Sequence, residues 1–179
     1  MTDEKIVELV RNGDKEKYSK IVERYEAKMF YYIKRMINQA DEEMEDLVQE
    51  VLVAAYENLA GFDTKKKFSS WIYRIAHNKA IDYFKKKKMK INVDLGEKEE
   101  YWEREGKLPE DIEIDKQDGE ELRKAVNSLE IKYREVIWLY YFEDKNYDEI
   151  SDILRIPISN VGVLLFRAKE KLKRRYEKK

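Results

Sequence analysis

Apolar residues return along the first half of the chain at intervals of three and four, the spacing that lines one face of an α-helix. Ile21, Val22, Tyr25, Met29, Tyr32, Ile33 and Met36 follow this rhythm and predict a helix from about Tyr18 to Ile37. The polar stretch Asn38 to Glu43 is expected to break it. A second helix is predicted from Met44 to Leu59, with Leu47, Val48, Val51, Leu52, Ala55 and Leu59 on its buried side. Gly61 then suits a left-handed terminator, a conformation that costs glycine little. Beyond the polar loop Asp63 to Lys67, a third helix runs from about Ser69 to Lys87. Its apolar stripe is Trp71, Ile72, Ile75, Ala76, Ala80, Ile81 and Phe84. No stretch of useful length alternates as a strand would, and no internal repeat is visible.

Periodicity fades between Ile91 and Glu121, where acidic residues crowd together with Gly96, Gly106 and Pro109. So long a patternless run reads as a linker rather than as part of a compact domain. The expected organisation is all-α: a helical domain over 1–90, an acidic flexible linker over 91–121 and a second small helical domain over 122–179. Within the last of these, Asn146 is placed to cap a helix, with Glu149 completing a capping box. That helix buries Ile150, Ile153 and Leu154, and Arg155-Ile156-Pro157 stops it, because the residue before proline is pushed out of helical geometry. Ser159 is expected to cap the next helix, which buries Val161, Leu164, Leu165, Ala168 and Leu172. Two short helices across a tight turn make a helix-turn-helix. Its second member should expose Ser159, Asn160, Val163, Phe166 and Arg167, ahead of a basic run that includes Lys171. Arg167 can fork onto guanine, Asn160 can read adenine and Phe166 can touch a thymine methyl. The plain alternative is a helical hairpin with a basic tail.

Charge sharpens the picture. The 179 residues carry a net charge of −1, but it is segregated. Counted along the sequence, residues 1–61 hold 9 basic and 14 acidic side chains, 62–90 hold 10 and 2, 91–121 hold 4 and 13, and 122–179 hold 14 and 9. The nets of −5, +8, −9 and +5 sum to −1. Two basic blocks on one chain suggest two polyanion-binding surfaces, although any single run could be no more than a solvated face. With no cysteine and a single histidine, His77, there is no thiolate metal site, no disulfide framework and no histidine cluster. No metal or cofactor is expected. Neither a membrane span nor a signal-type apolar segment is apparent. A soluble, intracellular, non-enzymatic protein is the expectation.

Two stretches carry a resemblance. Asp46-Leu47-Val48-Gln49-Glu50-Val51, followed by Phe68-Ser69-Ser70-Trp71-Ile72-Tyr73-Arg74-Ile75-Ala76-His77-Asn78-Lys79-Ala80-Ile81-Asp82, is similar to the second conserved domain of sigma-70-type factors. Tyr133-Arg134-Glu135-Val136-Ile137, through the helix-turn-helix, is similar to domain 4. The chain as a whole resembles the extracytoplasmic-function (ECF) subgroup, which keeps only sigma domains 2 and 4. The linker matches in length, acidity and Leu108-Pro109-Glu110-Asp111.

The resemblance implies a transcription initiation factor that places domain 4 on the −35 promoter element and captures unpaired bases of the −10 element. Its implied partners are core RNA polymerase, promoter DNA and a membrane-tethered anti-sigma factor, with no small-molecule substrate and a cytoplasmic location. On matching positions, Asp46, Gln49, Glu50, Val53 and Glu57 would face the clamp coiled coil of the polymerase β′ subunit. Phe62, Lys67, Phe68, Trp71, Arg74, Asn78, Lys79, Lys85, Lys86 and Lys87 would serve the −10 element. There Asn78 would contact a flipped base and the lysines would meet backbone phosphates. Ser159, Asn160, Val163, Phe166, Arg167 and Lys171 would serve the −35 element. For Trp71 and Tyr73 a core position is the competing assignment, and His77 is expected as an exposed helix residue.

Two departures stand out. Gly162-Val163-Leu164 occupies positions where the family often carries a basic residue, a hydroxyl residue and an arginine, and Glu130 replaces a usual proline. Two other classes remain open from the residues alone. One is a helix-turn-helix activator with a sensing or dimerising N-terminal domain, which would leave the asparagine-bearing basic helix unexplained. The other is a helical scaffold, which would leave both basic blocks unused.

Overall fold

The expected periodicities are realised as helices. In the computed structural model, which describes residues 1–37, 40–95 and 124–176, the chain separates into two compact units, Met1–Lys90 and Ile91–Lys179. In the first, α1 is Asp3–Arg11, α2 is Ser19–Ile37, α3 is Asp41–Glu57 and α4 is Phe68–Leu95. Short 3-10 turns occupy Lys15–Tyr18 and Leu59–Gly61. The second unit has a helical turn at 124–127, then α5 (Ile131–Tyr141), α6 (Tyr147–Leu154) and α7 (Ile158–Tyr176). No strand occurs among the described residues.

The core of the first unit is built from one stripe per helix. Ile6, Val7 and Val10 of α1 are buried with Ile21, Tyr25, Met29, Tyr32, Ile33 and Met36 of α2. From α3 come Met44, Leu47, Val48, Val51, Leu52 and Ala55, and from α4 Phe68, Ile72, Tyr73, Ala76 and Ala80. Tyr73 therefore belongs to the core, where its ring meets Tyr32 edge-on at 5.1 Å. The first helix was not resolved as a separate element by periodicity, since it is only nine residues long. Its start is nevertheless marked: the Thr2 hydroxyl accepts from the Lys5 amide, and Asp3 and Glu4 sit in the first turn, where the helix dipole favours negative charge.

Several expected boundaries shift. Asp41, Glu42 and Glu43 do not break the chain; they form the first turn of α3, and Lys34 at the end of α2 pairs with Asp41 at 2.7 Å. Asn38 and Gln39 lie outside the described residues. Gly61 does not adopt a left-handed conformation; α3 ends earlier, at Glu57, and Gly61 closes the 3-10 turn. The glycine that needs a positive φ is Gly13, at +106°, where the chain reverses after α1. Helix α4 continues to Leu95, past the expected domain end at 90, and 96–121 of the expected linker fall outside the described residues.

In the second unit the capping box forms as expected. Asn146 Oδ1 accepts from the Glu149 amide at 2.9 Å, and Glu149 Oε2 accepts from the Asn146 amide at 3.0 Å. The reversal after α6 is made by Arg155, which is left-handed at φ 54° and ψ 45°. Ser159 is not a cap. It lies inside the first turn of α7, which begins at Ile158, and the Pro157 carbonyl takes the first amides, those of Asn160 and Val161. The α7 face against the core is Val161, Leu165 and Ala168.

Gly162 lies within α7, and a Cβ there would meet Tyr147 Cε2 at 3.5 Å, an ordinary contact. Gly162→Ala is therefore expected to stabilise the second unit by roughly 1 kcal/mol, since glycine is a poor interior helix residue. Urea unfolding followed by helicity measures this. A loss of stability would mean that the added Cβ displaces Tyr147 and that α7 needs the space the glycine leaves there.

Candidate nucleic-acid interface

The site of the first unit begins with the stretch Leu59 to Phe68, which joins α3 to α4. Phe62 and Phe68 were expected to face DNA, and the structure corrects this. They are 3% and 0% exposed, and their rings meet edge-on at 5.5 Å. Phe68 also contacts Tyr25 of α2 at 5.6 Å, and both phenylalanines touch Trp71, at 5.1 and 5.5 Å. The two rings are thus the floor of the loop. What the loop exposes is Lys65, Lys66 and Lys67, carried on a turn in which Asp63 Oδ1 accepts from the Lys65 amide at 3.0 Å.

On α4, Trp71, Arg74 and Asn78 follow one another at intervals of three and four, which places them on one face. Trp71 and Arg74 are half-buried and Asn78 is exposed. Lys85 and Lys86 are exposed, while Lys87 is half-buried with its ammonium over the Tyr83 ring. Tyr83 donates a hydrogen bond to Glu43 of α3; partial burial and this carboxylate hold its hydroxyl above the ordinary tyrosine value. His77, expected as exposed, is half-buried.

Along α3, Asp46, Gln49, Glu50, Val53 and Glu57 are all exposed, opposite the buried stripe. Val53 is 55% exposed, and Tyr56 beside it is 37% exposed. One partner was not foreseeable: Glu50 Oε2 accepts from Lys79 Nζ at 3.0 Å, so a carboxylate of the α3 stripe engages a lysine of the basic helix.

In the second unit Ser159, Asn160, Val163, Phe166 and Arg167 are exposed on α7. Val163 is 45% and Phe166 66% exposed, so the outward face is markedly apolar. Lys171 is exposed but committed. Glu130, the N-cap residue of α5, accepts from its ammonium at 2.9 Å, and the same ammonium lies 5.0 Å from the centre of the Tyr133 ring. Glu130 is also paired with Lys132 at 3.0 Å. Its position in place of the usual proline therefore ties α7 to the start of α5. Lys169, whose ammonium sits over Tyr141, is held above the ordinary lysine value by that hydroxyl. Arg134 and Glu135 are buried side by side in α5; burial lowers the Arg134 value and Glu135 opposes that shift.

Among the described residues no cluster of carboxylates and imidazole could hold a metal ion, and no helix is long and apolar enough to cross a membrane. A helix-turn-helix unit on the same chain as a second basic helical unit is the build of a DNA-binding transcription protein.

Comparison with known proteins makes that class specific. Residues 21–89 match Sigma-70 region 2, and residues 119–172 match Sigma-70, region 4. The ECF RNA polymerase sigma factor SigW of Bacillus subtilis is 33% identical over 181 residues, covering 97% of this chain and 96% of that protein. The ECF RNA polymerase sigma-E factor of Escherichia coli is 30% identical over 178 residues, covering 95% and 92%. Two solved structures share the fold. The sigma factor RpoE, in complex with the anti-sigma factor NepR from Bartonella quintana, has a TM-score of 0.71 and 18% identity over 88% of this chain and 94% of that one. CnrH, in complex with the cytosolic domain of CnrY, has a TM-score of 0.67 and 20% identity over 98% and 97%. The chain belongs to the extracytoplasmic-function subgroup of the sigma-70 family of RNA polymerase sigma factors. It is a promoter-recognising initiation factor and not an enzyme.

The Glu130 cluster carries a pH signature. Hydrogen bonds from Lys171 and then Lys132 hold its carboxyl below the ordinary 4.5. A depressed folded value gives stability that is present above the unfolded value and lost as pH falls through the folded one. The stability difference between the wild type and Glu130→Gln should therefore be greatest above pH 4.5 and close as the solution is acidified. Denaturant midpoints measured across that range test it. A difference independent of pH would remove the ion pairs from the account.

Proposed function

We propose that the first unit docks on core RNA polymerase through the outward stripe of α3, Asp46, Gln49, Glu50, Val53 and Glu57, against the clamp coiled coil of β′. The same unit captures bases of the melted −10 element with Asn78, beside Trp71 and Arg74. Lys65, Lys66, Lys67, Lys79, Lys85, Lys86 and Lys87 bind the flanking phosphates, which adds affinity without sequence information. Phe62 and Phe68 act as the floor that shapes this surface. The second unit lays α7 in the major groove of the −35 element with Ser159, Asn160, Val163, Phe166 and Arg167. Lys171 serves there by fixing α7 to α5. The functional division follows residues 1–90, 91–121 and 122–179, with the acidic middle segment as linker.

The observation that carries this reading is the 3.0 Å bond between Glu50 and Lys79. It ties the α3 stripe to the basic helix, so a polymerase-facing surface and a DNA-facing surface would share an edge of one small unit. An anti-sigma partner fits the complex in which RpoE was solved with the anti-sigma factor NepR; that such a partner is tethered to the membrane and holds the chain on the cytoplasmic side is part of the proposal. Run-off transcription with purified core polymerase tests the whole reading, since only a sigma factor supports initiation from its own promoter.

Two variants, one double and one single, separate its parts. Asp46→Ala combined with Glu50→Ala should weaken core binding by about 2 kcal/mol or more while helicity is unchanged, the scale of losing charge-assisted contacts across an interface. Unchanged affinity in a core-binding titration would take the stripe out of the mechanism. Asn78→Ala should cost roughly 1–3 kcal/mol of discrimination among single-stranded −10 oligonucleotides and leave core binding intact. A mutant that keeps the wild-type base preference would make Asn78 a structural helix residue.

A further inference from the structure

The stretch Leu59 to Phe68 is fastened at both ends by side chains of α1, far away in sequence. At its start, the Arg11 guanidinium donates from Nε to the Leu59 carbonyl at 2.7 Å and from one terminal nitrogen to the Ala60 carbonyl at 2.8 Å. The same nitrogen also donates to the Phe62 carbonyl. At its end, Glu4 Oε1 accepts from the Phe68 amide at 3.0 Å. Phe68 opens α4, so this amide is among the first four of the helix, which have no partner within it. A carboxylate at a helix start also answers the positive end of the helix dipole.

Glu4 and Arg11 are separated by seven positions, two helical turns, so they lie on one face of α1 roughly 10 Å apart. The helix itself is held firmly on its other sides. Ile6 and Val7 are 0% exposed, and Asp3 accepts from Arg24 Nη1 and from the Tyr25 hydroxyl, each at 2.5 Å. Tyr25 in turn meets Phe68 edge-on at 5.6 Å. Helix α1 is thus tied to α2 and, from the same body, holds both ends of the stretch. Between the two ties the lysine-bearing turn at Asp63 remains at the surface.

We infer that Arg11 and Glu4 are positioning residues for capture of the melted −10 strand: they fix where the loop ends and where α4 begins, and so the placement of Lys65–Lys67 relative to Trp71, Arg74 and Asn78. This rests on the reading of that surface as the −10 site. The chemistry of each tie is specific. Arg11 reaches its carbonyls from two nitrogens held in one rigid plane, Nε to Leu59 and a terminal nitrogen to Ala60 and Phe62, a spread that the single nitrogen of a lysine does not reproduce. At Glu4 what matters is an acceptor oxygen at the right place, and a glutamine amide supplies one.

The test uses the full chain and a single-stranded DNA library with a randomised six-base window, from which the wild type selects its preferred sequence. Oligonucleotides varying each base of that sequence are then titrated. Arg11→Ala and Glu4→Ala should each lower the ratio between preferred and disfavoured bases by about fivefold or more. Their affinity for core polymerase should stay within about twofold of wild type, because the α3 stripe is not involved. Arg11→Lys should fail to restore the preference, whereas Glu4→Gln should restore what Glu4→Ala loses. Amide hydrogen exchange should rise at Phe68 in Glu4→Ala and stay unchanged in α2 and α3.

A wild type without base preference would sink the −10 reading, and this proposal with it. A selective wild type whose Arg11→Ala and Glu4→Ala variants keep its preference would overturn the positioning role alone. So would a parallel loss of base preference and core affinity, since that marks a general loss of fold. If Arg11→Ala does not fold, the contrast between Glu4→Ala and Glu4→Gln decides by itself.

Discussion

A chain that leaves one helix, crosses a short surface loop and enters another must find partners for every backbone carbonyl and amide it strips from the helical ladder. Between α3 and α4 that demand is acute, because Phe62 and Phe68 are both drawn into the core and the backbone carrying them follows. Water alone would satisfy the polar groups of an exposed loop, but it would not fix their geometry. Arg11 and Glu4 do both, taking three carbonyls at one end and an amide at the other. The start of α4 sets the rotational phase of the helix, and the phase decides which residues look outward. Spacing puts Trp71, Arg74 and Asn78 on one face, and that choice sets the direction in which the face looks.

The same dependence explains which features the sequence could disclose. Helices α2 and α3 were legible because each carries a long stripe at helical spacing, and burial of Ile21 through Met36 and of Leu47 through Ala55 follows it closely. The helix-turn-helix was legible because its capping box is local, set by Asn146 and Glu149 alone. Phe62 and Phe68 were misassigned for the opposite reason. An aromatic residue in a basic loop has the same local pattern whether it stacks on a base or on Tyr25 and Trp71, and only the tertiary fold separates the two. Gly61 failed similarly, since a glycine after a helix signals a left-handed turn only if the helix reaches it, and α3 stops at Glu57. Helix α1 left a short signal, Ile6, Val7 and Val10 behind a Thr2 cap, which was readable though brief. Its bonds to residues 59–68 had no local trace at all.

Intramolecular carboxylates temper both basic blocks. Lys79 is paired with Glu50 and Lys171 with Glu130, while Glu43 engages the Tyr83 hydroxyl beside Lys87. Exposed pairs of this kind contribute at most about 1 kcal/mol each to folding, so stability is a weak reason for their presence. Their effect on polyanion binding is more direct. Binding to nucleic acid gains much of its strength by releasing counterions condensed on phosphates, and a lysine already neutralised by a fixed carboxylate must first give that partner up. On the proposed reading, such pairing lowers affinity for DNA in general more than affinity for the right sequence. Contacts that carry no charge, from Asn78 in one unit and from Asn160, Val163 and Phe166 in the other, lose nothing by it. The Glu50–Lys79 pair goes one step further, because Glu50 also belongs to the α3 stripe. A partner that takes Glu50 away leaves Lys79 without its carboxylate, so docking on α3 and phosphate binding on α4 would favour each other through a single side chain.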